Sequence, residues 1–325
     1  MCTAISISEA HRLFGRNLDV ESDYGEGVII TPRSFTLSLR RCENITHHHA
    51  IIGAGVICRG YPLYFDGANE HGLCAAGLSF VGNAKYFPPS KEKNNIASFE
   101  FIPYILASFK SVDEVKCALA NLNITDVPFS RDMPTSDLHW MIADKSSSVV
   151  VEQTEDGLRV YDNPIGVLTN NPTFPFHLQN LANYLNLTSK EPENRFSDKV
   201  ELKRYSRGMG AIGLPGDLSS TSRFVRAAFT KLNAKAGDTT DESLAAAFHI
   251  LSSVEQTDGC ARVGDLYEKT VYSSVINLDT LTYYYRTYTN SQISAVRLFG
   301  EDLDSEMLIH YPFLKKQSIL YQNKR

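Results

Sequence analysis

The chain opens with "MCTAISIS" (residues 1–8), in which a cysteine directly follows the first methionine. Thr3, Ile5 and Ile7 alternate along this stretch with smaller side chains, of which Cys2 is the first. A period of two residues predicts a β-strand with one apolar face towards a core and one face of small residues. Chain ends fray unless they are tied down, and such a strand would anchor this one.

Cys2 is a candidate nucleophile if Met1 is removed, which is expected before a residue as small as cysteine. The residue would then carry a thiol and a free α-amine on adjacent carbons, whose ordinary pKa values are about 8.5 and roughly 7.7–8.0. A base that titrates near neutral pH beside a nucleophile suits acyl transfer. The alternative is that a cysteine at this position is incidental.

Two charged residues follow in "FGRNLD" (14–19), after a short turn that can bring them back towards Cys2. An arginine such as Arg16 beside a thiol favours the thiolate. A carboxylate such as Asp19 can orient an α-amine. A surface Arg–Asp pair at the tip of a hairpin is the other interpretation.

Two later motifs carry further candidates. "LTNNP" (168–172) ends a strand with two asparagines, whose side-chain N–H groups make good oxyanion donors, although Asn-Asn-Pro is also a plain turn signal. "TSRF" (221–224) places Arg223 at the start of a predicted helix, directly after a Gly-rich loop. An exposed helix arginine is the alternative there.

The remaining patterns mix strands with helices. Period-two and short apolar runs predict further strands at 27–31, 36–40, 50–57, 72–80, 138–144, 148–153, 270–278, 281–289 and 293–299. Longer periodic runs predict helices at 98–109, 111–122, 221–233 and 241–254, the second opening with a capping box of Ser111 and Glu114. Strands at both ends of the chain around central helices predict an α+β protein, with residues 1–325 as a single domain.

Composition excludes several classes of protein. The chain has 325 residues, 43% of them hydrophobic, and a net charge of −5 without a Lys/Arg stripe, so we expect no nucleic-acid partner. The sequence has neither a run of about 18 apolar residues nor a secretory signal, so no membrane association and a cytoplasmic location are expected. The six cysteines are scattered, and most are expected to be reduced structural thiols.

A metal site is not expected either. "HHH" (47–49) invites that interpretation, but consecutive side chains of a strand point to alternate faces and do not converge on one ion. A solvated loop is the favoured interpretation of these histidines, and no cofactor is predicted.

Taken together, "MCTAIS", "FGRNLD", "NEHGLCAAGLSF", "LTNNPTF", "GLPGDLSSTSRF" and "YYYRTYTNSQI" resemble the choloylglycine hydrolase family, which comprises bile salt hydrolases and penicillin V acylases. The resemblance runs from residue 2 to about residue 312, in the family's order. It implies a bacterial N-terminal nucleophile hydrolase with an αββα sandwich, forming a homotetramer, that cleaves an amide through a thioester. It also implies six active-site residues: Cys2 as nucleophile, Arg16, Asp19 as holder of the α-amine, the Asn170 side chain and the Ser79 backbone N–H as oxyanion donors, and Arg223.

The resemblance also implies a substrate. Positions expected to contact it are Leu18, Tyr24, Phe65, Phe129, Ser206 and Arg207. For Tyr24 and Phe65, ordinary core or hairpin packing is the alternative. Glycine- or taurine-conjugated bile salts are the expected substrates, and because "SRG" (206–208) resembles bile salt hydrolases that favour glycine conjugates, these are expected to be preferred. Ser79 departs from the family, because bile salt hydrolases usually have Asn there and penicillin V acylases usually have Tyr. A penicillin V acylase or another N-acyl amide hydrolase is the alternative. A non-catalytic binding protein is a further alternative. Such a protein would not need the matching catalytic residues to be present together, and all of them are: Cys2, Arg16, Asp19, Asn170 and Arg223.

Overall fold

The computed structural model of the protein describes residues 1–9 and 11–323. Its strands are β1 (Cys2–Ile7), β2 (Leu13–Val20), β3 (Gly27–Thr31), β4 (Ile51–Cys58), β5 (Tyr61–Asn69), β6 (Cys74–Ser79), β7 (Asn94–Ala97), β8 (Leu122–Thr125), β9 (Leu138–Ala143), β10 (Ser148–Thr154), β11 (Gly157–Asp162), β12 (Val167–Leu168), β13 (Ala261–Val263), β14 (Leu266–Asn277), β15 (Thr282–Thr287), β16 (Asn290–Arg297) and β17 (Ile309–Pro312). Its α-helices are α1 (Phe101–Ser108), α2 (Val112–Leu119), α3 (Phe174–Asn180), α4 (Ser220–Asn233) and α5 (Thr240–Ser252).

Two large antiparallel sheets form the centre of the molecule. The first has the order β12-β1-β2-β14-β15-β16, with β13 beside β14, and the second has the order β11-β10-β9-β6-β5-β4-β3-β17. Helices α4 and α5 pack on the first sheet, and α1 packs on the second with α2 nearby. The layers therefore run helix, sheet, sheet, helix, and the predicted αββα sandwich is confirmed.

The hydrophobic core has two parts. One fills the space between the two sheets and under α4 and α5, and includes Phe14, Met141 and Phe248. The other lies between the second sheet and α1 and α2, around Trp140 and Phe101. Burial on both faces accounts for the nearly continuous apolar runs of strands such as β4 and β9.

Strand β1 illustrates this double burial. It lies between β12 and β2 in the first sheet. Residues 2–6 are all buried, and Cys2 is only 4% exposed. The sequence predicts an apolar face and a small-residue face, and the structure buries both: β1 contacts β6 of the second sheet and α4 of the helical layer. The start of the chain is therefore held inside the sandwich.

One predicted strand is wrong. Residues 36–40 alternate like a strand, but only Leu37 pairs, through an isolated bridge to Ile45. The strand that precedes this segment, β3, is already flanked by β4 and β17, so the segment cannot pair with β3. Leu37 and Leu39 instead fill the outer core. The sequence pattern does not predict β5, in which Pro62 and Gly67 are unfavourable strand residues.

All four predicted helices are present; three are shorter than predicted, whereas α4 begins one residue earlier, at Ser220. The segment 98–109 begins with a 3₁₀ turn before α1. Ser111 caps α2 by accepting from the Glu114 backbone N–H at 3.3 Å, whereas the Glu114 carboxylate accepts from Lys110 instead of completing the predicted capping box. Within the residues described, no helix combines the length and apolar character needed to cross a membrane.

Candidate active site

The Cys2 thiol and the Arg16 guanidinium meet inside the sandwich. The turn between β1 and β2 sets a register in which Arg16 lies opposite Ala4, so its side chain shares a face with Cys2. Arg16 Nη2 lies 2.9 Å from Cys2 Sγ, and Nη1 donates to the Phe65 carbonyl at 2.8 Å. Arg16 and Asp19 are both fully buried in β2, so the interpretation as a surface pair is wrong.

A buried carboxylate holds the far side of that guanidinium. Asp66 Oδ2 lies 3.9 Å from Arg16 Nε. The two oxygens of Asp66 accept from the hydroxyls of Tyr272 at 2.5 Å and Tyr283 at 2.7 Å. Burial alone would lower the pKa of Arg16, but the negative charge that Cys2, Tyr272 and Asp66 can carry outweighs it and raises that pKa. Arg16 therefore stays a cation beside the thiol.

Asn170 connects the parts of the site. Its Oδ1 accepts from the Cys2 backbone nitrogen at 2.8 Å and from Arg223 Nη2 at 2.7 Å. Its Nδ2 donates to the Ser79 carbonyl at the end of β6, also at 2.8 Å. The Ser220 hydroxyl accepts from the Asn170 backbone N–H at 2.8 Å. Since a primary amide carries two N–H hydrogens, one remains for a reacting carbonyl.

Arg223 lies in the first turn of α4 and reaches back to β1. Its Nη1 donates to the Cys2 carbonyl at 2.6 Å and to Thr3 Oγ1 at 2.8 Å, and Nε donates to the Leu218 carbonyl at 3.0 Å. The side chain is fully buried, so the interpretation as an exposed helix arginine is wrong. Burial lowers the pKa of Arg223, and the charge of Asp19 opposes that shift.

Asp19 faces both Arg223 and the start of the chain. Its Oδ1 accepts from the Thr270 hydroxyl at 2.6 Å, and Oδ2 lies 3.9 Å from Arg223 Nη1. Burial raises the pKa of Asp19, and Arg223 and Thr270 oppose the shift. The Met1 ammonium donates to the Asp19 carbonyl at 2.6 Å and pairs with Glu268 at 2.7 Å. Met1 thus lies at the end of the β1–β2 ladder, bonded to Asp19 and Glu268.

The predicted substrate positions divide into three groups. Leu18 is buried opposite Cys2 in the β1–β2 ladder. The rings of Tyr24 and Phe65 lie 6.3 Å apart, next to the Phe65 carbonyl that Arg16 bonds. The third group comprises Phe129, which packs in an aromatic cluster with Tyr61 and Phe99, and Ser206 and Arg207, which are exposed in the loop before α4.

Several polar residues of the site have no signature in the sequence. Asp66, Thr270, Tyr272 and Tyr283 are buried polar groups on strands, and their partners lie far away along the chain. The one available signal is general: a buried hydroxyl or carboxylate must find a partner. That rule says that such partners exist, but it does not name them.

The histidines at 47–49 are only partly as predicted. His48 is buried and both of its ring nitrogens lie 2.8 Å from backbone carbonyls, so it does not belong to a solvated loop. His49, Glu70 and His71 offer metal-ligand atoms within 4.8 Å of one another. The Glu70 carboxylate is bonded by Arg33 through both oxygens, which leaves it a poor ligand. A cavity of about 880 Å³ beside these histidines has none of the six predicted active-site residues in its lining.

The sequence matches a known family along nearly its whole length. The description "Linear amide C-N hydrolases, choloylglycine hydrolase family" fits residues 2–311. A bile salt hydrolase/transferase of Lactiplantibacillus plantarum is 53% identical over 313 residues, which cover 96% of this chain and 97% of that protein. A bile salt hydrolase/transferase of Clostridium perfringens is 40% identical over 330 residues, covering 99% of this chain and all of that protein.

Solved structures agree with the sequence matches. The crystal structure of the C2A mutant of the conjugated bile acid hydrolase from Clostridium perfringens superposes with a TM-score of 0.91 at 39% identity, covering 99% of this chain and 100% of that one. Penicillin V acylase from Agrobacterium tumefaciens shares the fold, with a TM-score of 0.76 at 21% identity and coverage of 95% and 90%. The predicted fold type, that of the N-terminal nucleophile hydrolases, is confirmed.

Proposed function

Because this chain belongs to the choloylglycine hydrolase family and is an amidohydrolase of linear amides, we propose that it hydrolyses the amide bond of glycine- or taurine-conjugated bile salts. The observation that carries the proposal is the convergence on Cys2: Arg16 contacts its sulfur, and Asn170 accepts from its backbone nitrogen. The relatives named as bile salt hydrolases support the substrate class.

The reaction begins with a proton transfer at Cys2. Once Met1 is removed, the α-amine takes the thiol proton, directly or through a water molecule. The buried cation of Arg16, 2.9 Å from the sulfur, favours the resulting thiolate. Asp19 and the Asn170 Oδ1, which lies 2.8 Å from the Cys2 nitrogen, orient the amine.

The thiolate then attacks the amide carbonyl of the substrate. The free N–H of the Asn170 side chain and the Ser79 backbone N–H stabilise the tetrahedral oxyanion, and such donors are worth about 3–4 kcal/mol each in similar sites. The Cys2 ammonium gives its proton to the leaving glycine or taurine nitrogen as the C–N bond breaks. The cholyl group is left as a thioester, and a water activated by the same amine releases it as the bile acid.

Apolar surface beside the nucleophile supports a steroid substrate. Tyr24 is 56% exposed and its ring lies 6.3 Å from that of Phe65, next to the Arg16 contact. A rigid steroid body is suited to such a wall, since apolar area removed from water stabilises by about 25 cal/mol per Å². We infer a preference for glycine conjugates from Ser206 and Arg207, and one functional domain from the core shared by both sheets. The homotetramer and the cytoplasmic location remain predictions.

The test is a direct comparison of hydrolysis of glycocholate, taurocholate and penicillin V by one preparation, with the Cys2→Ala variant as the control. We expect both bile salts to be cleaved, glycocholate faster, and all activity to disappear in the variant. A kcat/KM for penicillin V at least tenfold above that for either bile salt would overturn the substrate assignment and favour the acylase alternative. Activity retained by the variant would overturn the role of Cys2.

A further inference from the structure

Two buried histidines hold consecutive carbonyls at the strand end that carries Asn170. His139 Nε2 lies 3.0 Å from the Thr169 carbonyl oxygen, and His177 Nε2 lies 2.8 Å from the Asn170 carbonyl oxygen. Both rings are fully buried. Thr169 and Asn170 directly follow β12, where the regular ladder of the sheet ends. The histidines therefore bond main-chain groups that the sheet leaves open.

The acceptors decide where the hydrogens lie. A carbonyl oxygen only accepts, so Nε2 of each histidine carries hydrogen. His139 Nδ1 faces Glu152 Oε1 at 3.1 Å, which fixes the ring between a carboxylate and the Thr169 carbonyl. His177 is neutral, because burial lowers its pKa to about 4, and it keeps the single N–H that it gives to Asn170.

Each ring also stacks on an aromatic residue next to the site. His139 is stacked on Phe80, with centroids 4.2 Å apart, and Phe80 directly follows the serine at the end of β6. His177 is stacked on Phe224, with centroids 4.7 Å apart, and Phe224 directly follows the arginine of α4 that bonds Asn170. The two histidines thus connect three segments that carry site residues. These are the end of β6 with Ser79, the residues after β12 with Asn170, and the first turn of α4 with Arg223.

We propose that His139 and His177 are positioning residues, which fix Asn170 relative to Ser79 and Arg223 so that its amide meets the oxyanion of the hydrolytic reaction. The inference rests on the proposed function, because it assigns Asn170 to the oxyanion. A misplacement of about 1 Å by a change away from the reacting atoms can cost about 100-fold in rate. Loss of either histidine's hydrogen bond to a carbonyl should therefore lower kcat more than it changes KM.

The test compares two changes at one position, with whichever bile salt the wild type hydrolyses. His177→Leu removes the donor to Asn170 and keeps a bulky apolar side chain, so we expect kcat to fall about 10- to 100-fold with KM changed less than about threefold. His177→Gln restores an N–H donor and should recover most of the loss. The matched control is His48→Leu, which also removes a buried histidine with two carbonyl partners, but away from the site.

Each outcome decides between a positioning and a merely structural role. Equal losses of kcat in His177→Leu and His48→Leu, or no rescue by His177→Gln, would overturn the proposal. If His177→Leu does not fold, His177→Asn replaces it: its shorter side chain cannot reach Asn170, so its kcat should be well below that of His177→Gln, and equal values would contradict us. A wild type that hydrolyses no bile salt overturns the proposed function instead, and the same comparison then uses its measured amide substrate.

Discussion

Asp66 Oδ2 lies 3.9 Å from Arg16 Nε, and both side chains are fully buried. Removing one partner of a buried pair leaves an uncompensated charge, at a cost of about 3–5 kcal/mol. We therefore expect Asp66→Asn to lower the free energy of unfolding by about that amount. Kcat should also fall about tenfold, because the guanidinium that contacts Cys2 loses its anchor.

Tyr283→Phe is the matched control for Asp66→Asn, since it removes one hydroxyl from the same carboxylate and leaves the charges in place. It should cost about 1 kcal/mol of stability and leave kcat within about twofold. The measurements are urea unfolding and steady-state hydrolysis. Equal effects of the two changes would show that the charge of Asp66 does not matter.

Removal of Met1 is required by the proposed mechanism. Intact-mass measurement should show a chain lighter by one methionine, and activity should follow the processed fraction in preparations made with and without an inhibitor of methionine aminopeptidase. In the unprocessed chain the Met1 ammonium is bound by Glu268, and the Cys2 nitrogen is an amide without basic character. Full activity of a chain that retains Met1 would contradict the mechanism.

The two asparagines at 170 and 171 should differ sharply. Asn170→Ala is expected to lower kcat about 10²- to 10³-fold with a smaller change in KM, because an oxyanion donor acts in the transition state. Asn171 donates instead to the Val81 carbonyl near the surface, so Asn171→Ala should be mild. Steady-state kinetics of both variants are the measurement. A larger loss from Asn171→Ala would reverse the assignment.

Ser79 is expected to tune substrate preference. Its backbone N–H and carbonyl survive substitution, but its hydroxyl makes fewer hydrogen bonds than the amide of an asparagine. A missing hydrogen bond costs about 0.5–1.5 kcal/mol, or up to roughly tenfold in rate. Ser79→Asn should raise kcat/KM for glycocholate without helping penicillin V, and Ser79→Tyr should shift the ratio the other way. Unchanged ratios in both variants would remove Ser79 from the determinants of specificity.

His177 should make stability depend on pH. Burial lowers its pKa to about 4, from about 6.5 in an unfolded chain. Between these values the unfolded state binds more protons, so the free energy of unfolding falls as the pH drops from about 6.5 towards 4. At about 1.4 kcal/mol per pKa unit, the full loss is on the order of 3 kcal/mol. Urea unfolding at several pH values should show a shallower dependence for His177→Gln, and parallel curves would disprove the contribution.

Local patterns in the sequence predict much of the site. The alternation in β1 and the short turn before β2 place Arg16 and Asp19 near Cys2, because hairpin neighbours follow from register alone. The positions of Asn170 and Arg223 relative to Cys2 depend on how the layers pack. Only the family resemblance implies the roles of these two residues. Their burial could not be read from their own segments, in which a turn asparagine or an exposed helix arginine fits equally well.

Contacts across the sheet order could not be predicted. Asp66 meets Tyr272 and Tyr283 over more than 200 residues of sequence, through an arrangement in which β14 lies beside β2. The false strand at 36–40 is a second case: its strand-like pattern does not reveal that β4 and β17 already flank β3. In both cases the outcome depends on which strands are neighbours, and that is a property of the whole chain.

The position of β1 also limits how this enzyme can be handled. Its first residues lie between β12 and β2, and the Met1 main chain already pairs with that of Asp19. A purification tag or carrier fused in front of residue 1 would replace the Met1 ammonium that Glu268 and the Asp19 carbonyl bind, and it would keep the Cys2 amine blocked. Near the other end of the chain, Leu320 is 88% exposed. Immobilisation on a support for continuous processing should therefore be made through the carboxyl end.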